Sequence, residues 1–330
     1  MTRTKNITSL TVEVVLCTFN GARFVGEQLK SILMQSQQVN QITVYDDGST
    51  DDTLTIVQEF ADQAINAGIR LKIVCNERNF GYAQNFGQGL LRATGDIIFF
   101  SDQDDVWNVN KVAYFLKEFE DVNCNLVFSD GVLIDSEGKA IKGNTVLQRL
   151  GISVSETTDF SSQGWKMLLR YNYLNGAAMA IRRLPALEAL PIPEGYPHDY
   201  WLALWLSRSG RGICLQESLY KYRLHESNTI GAANGPLRYQ LASIWRNPNP
   251  PRRLDLHRTR TLIARLPIDD VLFLEATQKL AWLESVVEER RRLYRLQNIA
   301  TSYLRGDYAR FAAPFAFLRD LVSVLRRSLS

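Results

Sequence analysis

The sequence predicts an α/β fold with a mostly parallel sheet flanked by helices, plus a helical C-terminal extension. Over the first 130 residues, short β-branched apolar runs alternate with segments whose apolar residues recur at helical spacing. Beyond residue 250, arginines are interspersed with apolar residues at the same helical spacing. Strands interleaved with helices imply βαβ units, and these produce parallel sheets.

The first half of the chain contains four strand–helix repeats. Strands are predicted at residues 12–17, 42–45, 70–75 and 97–100, and helices at 23–34, 54–64, 82–93 and 111–119. Further on we expect a strand at 126–135, a loop-like segment at 141–158, a helix at 160–170, a small-residue strand at 175–181, a helix at 199–209 and a strand at 219–224. Gly, Asn and Pro runs at 230–236 and 247–251 place a domain boundary near residue 235.

Composition narrows the class of protein. The chain is 45% hydrophobic and has no low-complexity tract, so we expect a large buried core. Four widely spaced cysteines form no CxxC pair, which argues against a zinc site or a disulfide framework. Neither a signal peptide nor a run of about 20 apolar residues is present. We therefore expect a cytoplasmic protein.

Polar and acidic residues follow the predicted strands. They are Thr18 and Asn20 after the first strand, Asp46 and Asp47 after the second, and Asp102, Gln103 and Asp104 after the fourth. Parallel sheets bind ligands beyond the carboxyl ends of their strands. A pyrophosphate at that edge would be repelled unless a divalent cation lay between. Asp102 and Asp104 are two residues apart and suit one hard cation, whereas Asp51, Asp52 and Asp105 are equally well explained as helix caps.

Four blocks carry a family resemblance, at residues 12–21, 44–53, 76–82 and 95–107. Later blocks at 175–178, 198–199 and 222–228 extend it to about residue 230. In this order the blocks resemble glycosyltransferase family 2, whose members are inverting enzymes with the GT-A fold. The resemblance implies a catalytic domain at 1–235, with a nucleotide-binding half at 1–107 and an acceptor-binding half at 108–235. The segment 236–330 shows no such resemblance.

The resemblance also implies roles for individual residues. Thr18, Asp46 and Asp47 match nucleoside-binding positions, with Asn20 and Gln103 beside them, and Asp102 and Asp104 match the DxD motif that reaches the diphosphate through Mg²⁺ or Mn²⁺. His225 matches a position near the metal, and Asp199 matches the general base. The base motif of many members reads Glu-Asp, whereas this chain has His198-Asp199. Acceptor contacts are expected from Asn175, Gly176, Ala177, His198 and Trp201.

Several of these residues have plain structural alternatives. Asp199 could serve only as a helix cap, His225 as a buried structural histidine, and Trp201 as a core residue. Arg78 and Arg223 offer guanidinium forks that could brace a diphosphate, with simple surface charge as the alternative.

The block Asp102–Trp107 and the later Tyr-Arg-x-His-x-x-Asn pattern look most like bacterial rhamnosyltransferases. This likeness implies dTDP-rhamnose as the leading donor and a glycan or polyprenyl-linked acceptor. Such members build surface polysaccharide such as O-antigen.

The tail is basic. Residues 251–330 carry 15 basic and 9 acidic side chains, a net +6, which leaves −3 for the first 250 residues. Helices predicted at 271–296 and 308–329 combine arginine with apolar and aromatic residues, a pattern typical of contact with an anionic membrane, here the inner face of the cell membrane. Packing on the body or in a homodimer interface explains the pattern equally well. Nucleic-acid binding is not predicted, because acids interrupt the arginines.

Two other functions compete. A nucleotidyltransferase or a related phosphate enzyme would also collect aspartates at strand ends, but residues 18–26 contain no glycine-rich phosphate loop. A non-catalytic scaffold in a polysaccharide-assembly complex would keep the fold, although retention of Asp102, Asp104 and Asp199 argues against it.

Overall fold

The computed structural model describes residues 10–143, 145–150, 152, 154–225, 252–289, 291–312 and 316–326. The chain divides into two compact units. The first comprises residues 1–164, 173–192 and 196–232, and the second comprises 165–172, 193–195 and 233–330. The boundary predicted near residue 235 and the motif residues 226–228 lie outside the described part, and the division at 235 stays a prediction.

A single mixed sheet forms the centre of the first unit. Its strands are β1 (Val12–Thr18), β2 (Gln41–Asp46), β3 (Arg70–Cys75), β4 (Ile97–Ser101), β5 (Val106–Trp107), β6 (Cys124–Ile134), β7 (Met179–Arg182) and β8 (Arg211–Arg223). Their order across the sheet is β3-β2-β1-β4-β7-β6-β8-β5. The pairs β1–β2, β2–β3, β1–β4 and β6–β8 are parallel, whereas β7 runs antiparallel to both neighbours and β5 runs antiparallel to β8.

Helices connect the strands of the first unit. They are α1 (Val25–Leu33), α2 (Thr53–Glu59), α3 (Ala61–Asn66), α4 (Tyr82–Arg92), α5 (Lys111–Glu118), α6 (Val146–Arg149), α7 (Val154–Arg170), α8 (Arg183–Leu187) and α9 (His198–Ser209). Residues 165–170 of α7 are assigned to the second unit. The second unit contains α10 (Arg252–Arg265), α11 (Val271–Val287), α12 (Arg292–Leu304), α13 (Asp307–Phe311) and α14 (Ala316–Arg326).

The strand sequences explain why the sheet is buried on both faces. Every residue of β1, β2 and β4 is buried, as expected for parallel strands with helices on both sides. Valine and isoleucine dominate these strands, and such β-branched side chains pack well on a pleated surface. Glu13 and Thr43 are buried on β1 and β2, where they hydrogen-bond to each other at 2.8 Å.

The predicted α/β architecture with a helical extension is confirmed, and several element boundaries differ. The helix predicted at 54–64 is split at Phe60 into α2 and α3. The loop-like segment at 141–158 contains α6, which begins with a capping box between Thr145 and Gln148. The strand predicted at 175–181 begins instead with a 3-10 turn at Gly176–Ala178, and the short strand at 219–224 is the end of the longer β8.

The second unit has its own buried polar contacts. Arg252 on α10 contacts the carboxylate of Asp320 on α14 at 3.0 Å, and the Tyr308 hydroxyl donates to the same carboxylate at 2.9 Å. Lys279 on α11 donates to Asp255 and to the carbonyl of Leu169, both at 2.7 Å. The predicted helices 271–296 and 308–329 are each divided in two here. In the described part of the chain, no helix combines the length and apolarity needed to cross a membrane.

Candidate active site

The carboxyl ends of β1, β2 and β4 lie side by side, as the strand pattern predicts. Thr18 on β1 is in register with Asp46 on β2, and Leu16 is in register with Ser101 at the end of β4. The Thr18 hydroxyl donates to Asp46 Oδ2 at 2.7 Å. The loop that carries Asp102 and Asp104 therefore begins beside the Thr18–Asp46 pair.

Asp46 organises the turn after β2. Its Oδ1 accepts the backbone N–H groups of Gly48 and Ser49 at 3.1 and 2.8 Å. The Ser49 hydroxyl donates to Oδ2 at 2.5 Å. Gly48 has φ +87°, a value that favours glycine, so the turn depends on this residue. The Asp46 side chain is almost fully buried, and its oxygens are already engaged inside the protein.

Asp47 fastens a second loop to the same edge. Its carboxylate accepts from the Asn76 side chain at 2.8 Å and from the backbone N–H groups of Phe80 and Gly81 at 2.9 and 2.8 Å. Arg78 lies in this loop, exposed, with its guanidinium over the Phe80 ring at 5.1 Å from the centroid. The sequence-predicted nucleoside positions thus hold the loops that surround the edge, and direct nucleoside contact stays a prediction.

Asn20 and Gln103 join the first loop to its neighbours. Asn20 adopts the left-handed conformation, φ 48°, and its side-chain oxygen accepts the backbone N–H of Thr50 at 2.8 Å. The Gln103 amide bonds Phe19 on both sides, accepting its N–H at 2.8 Å and donating to its carbonyl at 3.0 Å. Both residues therefore shape the loop after β1, and their contact with a donor stays a prediction.

Three acidic side chains interact electrostatically near the end of β4. Removal from water raises the pKa of Asp102 to about 8, and the charges of Asp104 and Asp199 add to this effect. Lys111 opposes the rise. Asp199, which is distant in sequence, is thereby brought into the same group of charges as the DxD aspartates.

Asp104 and Asp105 are held by the end of β8. The ring Nε2 of His225 lies 2.8 Å from Asp104 Oδ2. The guanidinium Nε of Arg223 donates to the Asp104 carbonyl at 2.8 Å, and the Arg223 backbone N–H donates to Asp105 Oδ1 at 3.1 Å. Arg223 also pairs with Glu27 on α1. Since its side chain is only 2% exposed, Arg223 braces the loop that carries Asp104 and Asp105 and is not a surface charge.

The donor set fits a divalent cation that shares its coordination with substrate. Asp102 and Asp104 supply hard oxygen atoms. Removal from water is the larger cause of the raised pKa of Asp102 and the charges of Asp104 and Asp199 add to it, so a bound cation would favour the ionised carboxylate. Within the described residues, no group of three or more His, Cys, Asp or Glu side chains converges in the manner of a complete metal site. Mg²⁺ characteristically takes one or two carboxylates and completes its shell with phosphates and water.

Asp199 occupies the first turn of α9. The N-cap is Pro197, so Asp199 is not the cap that the sequence offers as an alternative, although its Oδ1 accepts the N–H of Tyr200 at 2.6 Å. The side chain is half-buried. A carboxylate in a first helical turn is favoured by the helix dipole, and this one also lies within the electrostatic reach of Asp102.

The predicted acceptor residues fall into two groups. Asn175 caps the 3-10 turn by accepting the Ala177 N–H at 2.9 Å, and a Cβ on Gly176 would lie 2.5 Å from His198 Nε2. His198 and Trp201 are in the core, 3% and 0% exposed. Both side chains are therefore enclosed by the protein in this structure, and their contact with an acceptor stays a prediction.

His198 is surrounded by aromatic rings. It stacks on Phe86 at 3.9 Å between ring centroids and meets the edge of Phe100 at 5.4 Å. Burial lowers its pKa to about 3, so the ring is neutral. In the described structure neither ring nitrogen has a hydrogen-bond partner. Trp201 donates its indole N–H to the Ala189 carbonyl at 2.7 Å, which accounts for it as a core residue.

Lys111 is the residue at this site that the sequence analysis missed. It is fully buried, its ammonium bonds the carbonyl of Ala177, and it lies 4.2 Å from the centroid of the Trp107 ring. A signal was present, because Lys111, Phe115 and Phe119 share one helical face. A lysine in an apolar stripe is a candidate for a buried charge.

Comparison with known proteins connects this geometry to a family. The family model described as Glycosyl transferase family 2 matches residues 13–188. An uncharacterized glycosyltransferase of Nostoc sp. is 25% identical over 222 residues, covering 66% of each chain. A dTDP-rhamnosyl transferase of Shigella flexneri is 35% identical over 118 residues, which are 33% of this chain and 39% of the relative.

A solved structure agrees with the fold. A mannosyltransferase from Pyrobaculum calidifontis, in complex with GDP-Man and Mn²⁺, superposes with a TM-score of 0.56 at 16% identity. The match covers 97% of this chain and 87% of that one, which supports the GT-A architecture alone. Because the family model spans more than half of the chain and includes the strand ends and the DxD loop, the protein belongs to glycosyl transferase family 2.

Proposed function

We propose that this chain is an inverting, metal-dependent glycosyltransferase that moves a sugar from a nucleotide-diphosphate donor to a glycan or lipid-linked acceptor in bacterial surface polysaccharide synthesis. The observation that carries the proposal is the electrostatic grouping of Asp102, Asp104 and Asp199 at the carboxyl edge of β4. Two of these follow the strand directly, whereas the third comes from the start of α9.

Asp199 is the proposed general base. Single displacement requires one carboxylate to take the proton of the acceptor hydroxyl as that oxygen attacks the anomeric carbon. A retaining mechanism needs a second carboxylate as nucleophile, and in this proposal Asp102 and Asp104 are reserved for the diphosphate. Asp199 is half-buried at the start of a rigid helix, which holds its carboxylate in place.

Asp102 and Asp104 are the proposed metal ligands, with His225 beside them. A bound Mg²⁺ or Mn²⁺ would act as a Lewis acid that neutralises charge on the departing diphosphate, worth several kcal/mol in the transition state. Arg223 keeps the Asp104 carbonyl fixed, so the loop presents its carboxylates from a braced backbone. Thr18, Asn20, Asp46, Asp47, Arg78 and Gln103 are proposed to surround the nucleotide.

The proposed donor is dTDP-rhamnose. Support comes from the likeness of the Asp102–Trp107 block to rhamnosyltransferases and from the relative in Shigella flexneri, which carries that activity in its name. The solved neighbour binds GDP-Man, so the fold alone does not select the sugar.

The test is a thermal-shift and turnover panel. The donors are dTDP-rhamnose, UDP-glucose, UDP-N-acetylglucosamine and GDP-mannose, each with Mn²⁺, with Mg²⁺ and with EDTA. We expect one donor to raise the melting temperature and to be slowly hydrolysed only when metal is present. Asp104→Ala should abolish both effects while the variant stays folded, and Asp62→Ala, an exposed helix aspartate, is the control. Full activity in EDTA contradicts the metal proposal, and absence of binding to any donor favours the scaffold.

We also propose that the second unit contacts an anionic membrane surface. Within the helix predicted at 308–329, Phe311 is buried and is not available to lipid. Instead α12 exposes Leu293 and Leu304, at 78% and 85%. Residues 291–306 contain no acid, and Arg291 and Arg305 are exposed, which suits anionic headgroups. A homodimer through the same helix is the competing outcome.

A further inference from the structure

Lys111 has an environment unlike that of an ordinary lysine. It is the first residue of α5 and is 0% exposed. Its ammonium lies 4.2 Å from the ring centroid of Trp107 and 5.4 Å from that of Tyr220. Burying an ammonium costs several kcal/mol unless charges and acceptors compensate. Apolar packing alone therefore does not explain why this side chain is buried.

Two kinds of interaction compensate for the burial. The ammonium donates to the carbonyl of Ala177, in the 3-10 turn before β7. It also interacts with the charges of Asp105 and Asp102, which oppose the effect of burial on its pKa. Burial remains the larger effect and lowers the pKa of Lys111 to about 7.

The turn that Lys111 contacts is itself well ordered by local bonds. Asn175 accepts the N–H groups of Ala177 and Ala178, through its side chain and its carbonyl, at 2.9 Å each. Gly176 packs against His198, the neighbour of Asp199. The turn thus connects Lys111 to the start of α9, where the proposed base lies. The same ammonium interacts electrostatically with Asp102 and Asp105 in the loop after β4.

We propose that Lys111 is a positioning residue that holds the acceptor-side turn, Asn175–Ala178, at a fixed place relative to the DxD loop. The description of this turn as acceptor-side rests on the proposed function. The anchoring itself rests on the bond to Ala177, on complete burial and on the neighbouring carboxylates.

The first test measures backbone hydrogen exchange in the full-length chain without ligands. Lys111→Met keeps the apolar stem and removes the donor, whereas Lys111→Gln keeps an N–H donor without the charge. We expect exchange at Ala177 and Ala178 to rise about tenfold or more in Lys111→Met, and by less in Lys111→Gln, because a bond from a charged donor is the stronger.

Lys279→Met is the matched control. Lys279 is also a fully buried lysine that donates to a backbone carbonyl, that of Leu169, but it belongs to the second unit. It should lower the melting temperature and leave exchange at 175–178 unchanged. Unchanged exchange in Lys111→Met, or an equal rise in Lys279→Met, would overturn the proposal. If Lys111→Met does not fold, the Gln variant decides by the same criterion.

The second test separates positioning from donor chemistry. With the donor selected in the panel and a short-chain polyprenyl diphosphate carrying N-acetylglucosamine as the acceptor probe, Lys111→Met should raise the acceptor KM about tenfold. Donor hydrolysis without acceptor, measured in parallel, should fall by a smaller factor than the acceptor KM rises. If donor hydrolysis falls by as much as acceptor KM rises, Lys111 acts through the carboxylates proposed to bind the metal, and the acceptor role is overturned. If the wild-type protein transfers no sugar, the proposed function fails, and hydrogen exchange still decides the anchoring.

Discussion

The aspartates at the carboxyl edge of the sheet differ in the partners that surround them. Asp46 and Asp47 accept several backbone and side-chain donors and are almost fully buried, so they fix loop geometry. At Asp102, removal from water raises the pKa, and the charges of Asp104 and Asp199 add to this effect. Hydrogen-bond donors therefore distinguish a structural carboxylate from one that is available to a cation.

Asp199→Asn tests the proposed base by replacing one carboxylate oxygen with an amide nitrogen. The amide keeps the size of the side chain but cannot accept the acceptor proton, so we expect kcat to fall about 10²- to 10⁴-fold. Donor affinity, measured by calorimetry with metal present, should be nearly unchanged. Asp62→Asn, at an exposed aspartate in the first turn of α3, is the control. A variant with normal turnover would remove Asp199 from the mechanism.

Glu13 lies away from the carboxyl ends of the strands, and its contacts predict a contribution to stability. Its carboxylate accepts the N–H groups of Thr94 and Gly95 at 2.7 and 3.0 Å, and side-chain donors from Gln41 and Thr43 at 2.8 Å. Burial raises its pKa, but these bonds together outweigh burial and lower it below 4.5. Glu13→Ala should reduce the free energy of unfolding by about 1–3 kcal/mol at pH 7, because it orphans buried donors.

The pH dependence of that loss follows from the sign of the shift. Since the folded pKa is below the unfolded value, the contribution of ionised Glu13 is present above pH 4.5 and disappears as the pH falls through the folded pKa. The difference in unfolding free energy between wild type and Glu13→Ala, measured with urea, should therefore narrow as the pH falls from 7 through the folded pKa. Glu137→Ala, in an exposed pair with Arg23, is the control and should show no resolvable change at either pH. A difference that grows with acid contradicts the assignment.

At the scale of elements, α9 buries some of its polar residues, whereas α12 exposes several of its apolar and aromatic residues. Nine of the twelve residues of α9 are buried, and they include the polar residues His198 and Ser207. On α12, by contrast, Leu293, Tyr294, Tyr303 and Leu304 are all exposed. Exposed apolar residues on one basic helix are a candidate contact surface.

Replacing Leu293 and Leu304 together by serine tests that surface. Both side chains are exposed, so the fold should be retained, while binding to phosphatidylglycerol vesicles should weaken about tenfold or more through lost apolar burial. Vesicle co-sedimentation gives the comparison. Leu184→Ser, an exposed leucine in the first unit, should bind like wild type. Unchanged vesicle binding would refute the membrane proposal, and a loss of dimer in sedimentation velocity would assign α12 to self-association.

At the scale of the whole molecule, each unit has its own buried polar framework. In the second unit Asp320 is 1% exposed and is bonded by Arg252 and Tyr308. The Arg252 guanidinium also lies over the Trp282 ring, 5.0 Å from the centroid. Removal of one partner from a buried ion pair leaves an uncompensated charge, which is more costly than the pair is stabilising.

Asp320→Asn should therefore destabilise the protein by about 3–5 kcal/mol. Calorimetry should detect a lower melting temperature for the protein. Glu284→Gln, in an exposed pair with Arg260, is the control and should leave the melting temperature unchanged. Wild-type stability in Asp320→Asn would show that the ion pair is dispensable.

Sequence patterns predicted the βαβ half of the fold well because each strand is a continuous apolar run between helix signals. They did not predict the break at Phe60, the 3-10 turn at Gly176–Ala178 or the full length of β8. These features depend on packing and hydrogen bonding between segments distant in the chain, so no local pattern reports them. Arg223 illustrates the limit, since its bond to the Asp104 carbonyl joins residues 119 positions apart.

The sequence by itself determined the α/β class, the helical extension and the order of polar residues at the strand ends. Strand direction and spacing suffice for this, because parallel strands bring their carboxyl ends to one edge. Tertiary structure alone decided that Asp199 joins Asp102 electrostatically, that His198 and Trp201 are core residues, and that Lys111 is a buried cation. The physical reason is that a side chain becomes buried, or comes close to another charge, only when separate helices and strands pack together. The sequence of one segment does not show which other segments will pack against it.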